Sequence, residues 1–330
     1  MSDTSPPGRA REAAGAAGAD DPAEIATQVF VDHRELLFSM VYNMLGTVAD
    51  TEDVLQETWL AWAARTGSPH AEPVEIPRAY LVRIAVNKAL ARQAAVSRLR
   101  ETYVGPWLPE PLATGLVAGP GGAGPGGEGP GGDGAEVVER AESVSMALMV
   151  VLESLTSLER AVFVLHEVFG YAHTETAGIL GRSPAAVRQL AHRAREHVQA
   201  RRPRYRADPR VQQQVTERFA AAVHGGDLEA LLRLLAPDVT LWADGGGKAP
   251  AAGLGPVHGR ERIGRLLAVR GSRISGHLDI RYRQVNGGPS AVLFHQGSPF
   301  AVLVVDLEPD TSLVRDIYFV TNPDKLSHLD

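Results

Sequence analysis

Leu155-Thr-Ser-Leu-Glu-Arg-Ala-Val-Phe-Val-Leu-His-Glu-Val-Phe-Gly170 is followed by Tyr171-Ala-His-Thr-Glu-Thr-Ala-Gly-Ile-Leu180. Then comes Gly181-Arg-Ser-Pro-Ala-Ala-Val-Arg-Gln-Leu-Ala-His-Arg-Ala-Arg-Glu-His-Val198. The punctuation predicts three helices. Ser157 reads as an N-cap, with Arg160 where a capping box would have an acid. Ala161, Val162, Leu165 and Phe169 recur at helical spacing, and Gly170 ends the helix. A short helix is predicted from about Thr174 to Leu180, with Ala177 and Leu180 on one side and Gly181 as its stop. Ser183 caps the next helix. Pro184 takes its first position, where a missing N–H costs nothing.

The spacing of this last helix predicts that Val187, Leu190, Ala191 and Ala194 are buried. Its other face carries Ala185, Arg188, Gln189, His192, Arg193 and Arg195. A short helix, a Gly turn and a capped helix with a basic outer face form a helix-turn-helix, whose second helix enters a major groove. Arg188 and Gln189 could read base edges there. Arg182, Ser183, Arg193 and Arg195 could hold phosphates. The bland alternative is a three-helix bundle with a solvated charged face. The basic continuation through Arg201, Arg202, Arg204 and Arg206 argues against it.

The chain has 330 residues, 44% of them hydrophobic, which is enough for two or three domains with their own cores. Net charge is −6, so a DNA-reading surface has to be a local basic patch. There is no cysteine, which excludes disulfides, cysteine-ligated zinc and thiol chemistry and suits a reducing cytoplasm. No apolar run approaches the roughly 20 residues of a membrane span, so no membrane partner is expected. The start of the chain does not read as a signal peptide.

Residues 1–22 are rich in Ala, Gly, Pro and Asp and are expected to be disordered. Phe30, Leu37, Met40, Val41 and Met44 then define one helical face that closes at Gly46. A second helix is predicted from Asp50 as N-cap, with Leu55, Trp59 and Trp62 on one face and Asp53, Gln56, Glu57 and Leu60 on another. After a Pro-rich loop from Gly67 to Ile76, Pro77 opens a third helix. Leu81, Ile84, Ala85 and Lys88 share a side of it, while Arg83, Asn87, Arg92, Arg98 and Arg100 make it polar and basic. An acidic helix beside a basic one suggests two partners, or a surface lattice of ion pairs.

These blocks together resemble an extracytoplasmic-function (ECF) sigma factor. Asp50-Thr-Glu-Asp-Val-Leu-Gln-Glu-Thr58 resembles the family's region 2.2 helix, which implies docking on the clamp helices of core RNA polymerase through Asp50, Asp53, Gln56 and Glu57. Ile76-Pro-Arg-Ala-Tyr-Leu-Val-Arg-Ile-Ala-Val-Asn-Lys88 resembles the region 2.4 helix, which implies that Arg83 and Asn87 face the −10 element. The opening stretch resembles region 4, which implies −35 recognition and contact with the polymerase flap. The loop from Gly67 to Ile76 resembles the family's base-capturing loop.

Tyr103-Val-Gly-Pro-Trp-Leu-Pro-Glu-Pro-Leu112 is too apolar for a free linker, so Trp107 and Leu108 are expected to dock. With Pro109, Glu110 and Pro111 they resemble the linker signature of a sigma subgroup carrying an extra C-terminal domain. Gly119-Pro-Gly-Gly-Ala, Gly124-Pro-Gly-Gly-Glu and Gly129-Pro-Gly-Gly-Asp repeat with a period of five. They read as a flexible tether that lets two DNA-reading domains move independently. A helix resumes near Val137.

Beyond Arg206 the pattern predicts a helix from Val211 to Ala222 and another from Asp227 that stops at Pro237. Strand-like runs follow at 239–242, 277–283, 291–294, 300–306 and 313–320. Helices followed by a curled antiparallel sheet make an α+β unit that resembles a SnoaL/NTF2-like cone. Asp244-Gly245-Gly246-Gly247-Lys248 and Asn322-Pro323-Asp324-Lys325-Leu326 resemble two further signatures of the subgroup, and the cone is expected to clasp the linker through them. The Gly run lacks P-loop spacing. Asp244, His258, Asp279 and His295 are candidates for a cone enzyme, although their spacing marks no general base or metal site.

The reading is therefore multidomain: two all-α sigma domains plus an α+β cone. It divides into a tail (1–22), region 2 (23–102), a linker and tether (103–136), region 4 (137–206) and the cone (207–330). The expected partners are core RNA polymerase and promoter DNA, with a small ligand in the cone left open; no cofactor or metal is expected. The alternative is a SnoaL-type enzyme or ligand sensor carrying DNA-binding helices.

Overall fold

The computed structural model describes residues 22–68, 72–116, 144–201, 207–249, 253–274 and 278–329. The expectations for the N-terminal tail, the Gly/Pro tether, the helix near Val137, part of the Gly67–Ile76 loop, and Arg202, Arg204 and Arg206 lie outside the described residues.

Three helices come first: α1 (Pro22–Leu45), α2 (Val48–Thr66) and α3 (Pro77–Glu101). The α1 stripe of Phe30, Leu37, Met40, Val41 and Met44 is buried. Trp62 is buried as well, and its indole N–H donates to Ala26 O at 2.8 Å, which pins α2 to α1. The N-cap of α2 is Thr47, not Asp50. Gly46, at φ 75°, turns the chain tightly enough for the helix to start early. Asp50 then sits in the first turn and accepts the Thr47 hydroxyl at 2.6 Å.

The second helical set is α4 (Met146–Leu152), α5 (Ser157–Phe163), α6 (His173–Leu180) and α7 (Pro184–Arg201). A π-helical turn, Val164–Val168, extends α5. The cap of α5 is Thr156 rather than Ser157, and the capping box is complete: Glu159 N donates to Thr156 Oγ1 and Thr156 N to Glu159 Oε2. Arg160, in the same first turns, faces inward and is buried. Gly181 ends α6 at φ 61°. Ser183 Oγ accepts from Ala186 N at 3.2 Å, as its position before Pro184 predicts. Val187, Ala191, Ala194 and Val198 are buried, while Leu190 is only half-buried.

One continuous apolar core runs from Phe30 in α1 to Val198 in α7. The two helical units are thus packed together rather than held apart. Asn87 of α3 donates to Ile179 O of α6 at 3.1 Å across this junction.

The rest is α8 (Pro209–Gly225), α9 (Leu228–Leu234), α10 (Arg260–Ile274) and a seven-stranded sheet. Its strands are β1 (Ala113–Leu116), β2 (Leu235–Asp244), β3 (Val257–His258), β4 (Leu278–Val285), β5 (Gly288–His295), β6 (Ser298–Leu307) and β7 (Val314–Val320), in the order β1-β4-β5-β6-β7-β2-β3. The expected antiparallel sheet is in fact mixed, because β2 and β7 run parallel. The chain leaves β2 through β3 and α10 to the far side, and the β4–β7 meander returns alongside β2.

Helix α9 stops at Leu234, and Pro237 lies inside β2 rather than ending a helix. The β2–β7 register shifts between Leu235 and Thr240, and such irregularities are where strands tolerate proline. Helix α10 has no counterpart among the predicted elements, since Gly264 and Gly271 interrupt its pattern. Both are packing sites. A Cβ at Gly271 would lie 1.6 Å from Val223 O of α8, and one at Gly264 would lie 3.1 Å from Leu232.

Strand alternation gives the sheet two apolar faces. Ala291, Leu293, Ala301, Leu303, Val305 and Ile317 pack against α8–α10, completing an α+β cone. Val292, Phe294, Val302, Val304, Tyr318 and Val320 face the other way, against Leu108 of the linker and Met146 and Ala147 of α4. The linker also adds β1 to the sheet edge beside β4.

Candidate functional site

Arg182 and Ser183 in the turn before α7, and Ala185, Arg188, Gln189, His192 and Arg193 on the helix, are exposed to solvent. Arg182 and Arg188 form no ion pair among the described residues. Arg193 pairs with Glu159 at 3.0 Å, and His192 lies 3.4 Å from Glu196. Arg195 is half-buried and pairs with Glu167. The start of the helix is therefore free for a groove, and its later arginines are held by surface carboxylates.

On α2, Asp53, Gln56, Glu57 and Leu60 are exposed together. This acidic face is laced to α3: Arg92 bridges Asp50 at 2.8 Å and Asp53 at 2.5 Å, and Lys88 reaches Glu57 at 3.0 Å. Side-chain hydrogen bonds and charge from Asp50 raise the Arg92 pKa. The ion-pair lattice and the exposed acidic face coexist. Arg83 is exposed beside the Tyr80 ring, with its guanidinium 5.6 Å from the ring centre.

The linker and the two C-terminal signatures meet at one buried point. Asp244, at the end of β2, is fully buried. Its Oδ2 accepts Leu108 N at 2.8 Å and Lys325 Nζ at 2.8 Å. Its Oδ1 accepts the Tyr103 hydroxyl at 2.5 Å and Gly246 N at 3.1 Å. Lys325 also donates to Leu108 O and stands 4.1 Å from the Trp107 ring centre. Burial lowers its pKa to about 8, against the pull of Asp244. Asn322 donates to the Tyr103 hydroxyl, and Lys248 pairs with Asp324. Gly246 and Gly247 have positive φ. A Cβ on Gly246 would fall 2.5 Å from Asn322 Nδ2, and one on Gly247 would fall 3.1 Å from Val104. Gly245 closes the turn by accepting Lys248 N. Pro323–Lys325 forms a 3-10 turn, and Leu326 is buried.

Glu110 fastens the same linker to α1 and α2, and Pro111 meets the C-terminal turn. Buried Glu110 accepts Val48 N, an orphan donor of the α2 start, at 2.7 Å. Its N–H donates to Gly46 O and its carbonyl accepts the Tyr42 hydroxyl. His328 faces Glu110 at 3.0 Å through Nδ1 and Pro111 O at 2.6 Å through Nε2. Burial opposes charge on His328, but these hydrogen bonds outweigh it and raise its pKa. Asn286, in the β4–β5 turn, donates to the Tyr42 hydroxyl at 2.7 Å and accepts from Leu112 N.

Next to this clasp lies a charge cluster absent from the predicted site. Arg160 is 1% exposed, and its Nε donates to Asn43 O at 3.0 Å. Glu153 pairs with both Arg160 and Arg100. Arg100 also covers the Trp107 ring, 3.5 Å from its centre. Burial lowers both arginines to about 9. The sequence held one signal: Arg160 is in helical phase with residues that bury. Tyr42, Tyr103, Asn286 and His328 carried none, because their partners are distant in sequence.

The four candidate enzyme residues do not converge. Asp244 serves the clasp, and His258, Asp279 and His295 are exposed. No helix among the described residues is long and apolar enough to cross a membrane.

Comparison with known proteins adds a family. Residues 29–99 match Sigma-70 region 2, and residues 145–198 match Sigma-70 region 4. The chain is 40% identical to the ECF RNA polymerase sigma factor SigJ of Mycobacterium tuberculosis over 71% of this chain and 69% of that one. It is 27% identical to the probable ECF RNA polymerase sigma factor SigI of the same species, over 94% and 96%. The crystal structure of M. tuberculosis SigJ superposes with a TM-score of 0.67 and 33% identity, covering 91% of this chain and 98% of that one.

Proposed function

The chain belongs to the ECF RNA polymerase sigma factors, and from that premise we propose that the clasped arrangement is the held state of an initiation factor restrained by its own cone. A sigma factor directs promoter-specific transcription initiation. In the proposed assignment, region 2 (23–102) docks on the polymerase clamp helices through Asp50, Asp53, Gln56 and Glu57 and reads the −10 element with Arg83 and Asn87. Region 4 (137–206) meets the flap and reads the −35 element with the exposed start of α7. The cone (207–330) regulates rather than catalyses, and the protein works in the cytoplasm, where polymerase and promoters are.

Spacing argues for a held state. Elements centred at −35 and −10 lie roughly 85 Å apart along B-DNA at 3.4 Å per base pair. Asn87 here sits 3.1 Å from the helix that precedes the recognition helix. Both elements cannot be read in this arrangement, so α6 and α7 must leave α3.

The observation that carries the reading is the Asp244 carboxylate gripping both Leu108 N and Lys325 Nζ. It ties β2 and the C-terminal turn to a linker that is also fixed to α1 and α2. The test is run-off transcription with purified core polymerase, comparing wild type with Asp244→Asn. The substitution should raise output several-fold from the same promoters and enlarge the protein in small-angle scattering. An enlarged variant with wild-type output would remove the held state from the account.

A further inference from the structure

The cone holds an apolar chamber beside an arginine-lined recess that is open to solvent, where Arg262 and Arg265 are exposed. Phe219, Val223, Leu267, Leu278, Leu293 and Phe300 are among the residues lining the inner chamber, whose volume is about 60 Å³. The outer one is larger, about 440 Å³, and lies between α10 and the β2–β3 side of the sheet. Leu241, Ala243 and Arg270 line both, so the two adjoin. Together they fall in the range of roughly 300–1,000 Å³ typical of small-molecule sites.

The charge in the outer chamber is one-sided. Arg262, Arg265 and Arg270 line it beside Leu266, Val269 and Val257, and no acidic side chain lines either chamber among the described residues. Helical spacing explains the grouping, since positions 262, 265, 266, 269 and 270 share one face of α10. Arg265 has an exposed partner in Glu261, at 3.2 Å, on the same helix. That contact is solvent-screened and easily exchanged for another anion. Guanidinium groups pair with carboxylates through parallel hydrogen bonds, which an apolar or neutral occupant would leave unused.

We infer that this double chamber binds a small amphipathic organic anion, with its carboxylate among Arg262, Arg265 and Arg270 and its apolar end pointing past Leu241 and Ala243 into the inner chamber. Neither half suffices alone. A simple inorganic anion leaves the apolar chamber unfilled, and a neutral hydrocarbon forgoes the arginines.

Calorimetric titration of the full chain with octanoate, 1-octanol and inorganic phosphate separates these cases. Octanoate should bind at least about tenfold more tightly than 1-octanol, the value of one charge-assisted hydrogen bond. Phosphate should neither bind measurably nor compete. Replacing Arg262, Arg265 and Arg270 together by Gln should bring octanoate down to the octanol level. Added salt should weaken octanoate and leave octanol unchanged, a readout in the unaltered protein that stands if the triple variant misfolds. Equal affinity for octanoate and octanol, no octanoate binding, phosphate competing with octanoate, or salt-independent octanoate binding would each overturn the assignment.

Discussion

The molecule handles charge in two opposite ways. On the outer faces of α2 and α7, arginines and carboxylates meet in water: Arg92 with Asp53, Lys88 with Glu57, Arg193 with Glu159. At the junction of linker, cone and helices, Arg160, Glu153, Arg100, Asp244 and Lys325 meet out of water. Exposed pairs contribute about 0–1 kcal/mol and are exchanged freely. Buried ones gain little over apolar packing, yet breaking one strands a charge at about 3–5 kcal/mol. A surface meant to meet DNA and polymerase can afford the first kind. A joint that must hold one geometry until it is released is suited to the second.

The sharpest way to break this contrast is Glu153→Gln, which leaves Arg100 and Arg160 facing each other unneutralised. It should cost about 3–5 kcal/mol in denaturant unfolding. A loss below about 1 kcal/mol would put the cluster in the same class as the surface pairs. Gly246→Ala tests the clasp without touching a charge. Its positive φ and the collision with Asn322 should cost about 1–3 kcal/mol, read as a lowered melting temperature. Unchanged melting would mean the turn relaxes easily.

On the exposed side, Arg188→Ala should leave stability within about 0.5 kcal/mol. If Arg188 reads a guanine, specific duplex binding should weaken by about 1–3 kcal/mol in fluorescence anisotropy. Equal losses on specific and random duplexes would make Arg188 a phosphate contact. Reversing Asp53 and Glu57 to Lys should change folding stability by about 1 kcal/mol or less per pair and yet abolish co-purification with core polymerase. Retained co-purification would separate the acidic face from polymerase docking.

The smallest effect concerns His328. Its folded pKa is raised above 6.5, so its contribution is fully present below pH 6.5 and is lost as pH rises through the folded value. Melting temperature should therefore fall slightly from pH 6 to 8 in wild type relative to His328→Gln. Parallel pH profiles would show that Glu110 does not hold a charged imidazole.

What could be read in the sequence followed short-range rules. The α1 stripe, the Gly181 turn, the Ser183-Pro184 start and the exposed face of α7 each depend on neighbours three or four residues away. The docking of Trp107 and Leu108 was legible because they are too apolar for water. Helix α10 was not, because Gly264 and Gly271 look like breakers until α8 and α9 are laid against them. The parallel β2–β7 pair was hidden because strand order is set by tertiary packing and not by local periodicity. Arg160 carries the phase of a buried residue, but its partner Glu153 and the Arg100 beyond it were not legible, because they belong to other elements. The shared core of the two helical units was illegible, since no periodicity says which apolar stripes will meet.

The clasp joins positions far apart along the chain: Leu108 to Asp244 across 136 residues, Lys325 to Leu108 across 217. Such contacts require the entropy of long loops to be given up before any bond is made, so they form late in folding. The helical core and the sheet each assemble from nearer neighbours. The joint is therefore expected to set last and to open first, well below the free energy of global unfolding. In hydrogen exchange, the amides of Leu108 and Glu110 should trade with solvent before those of Met40 and Val162, marking a native protein that rehearses its own opening.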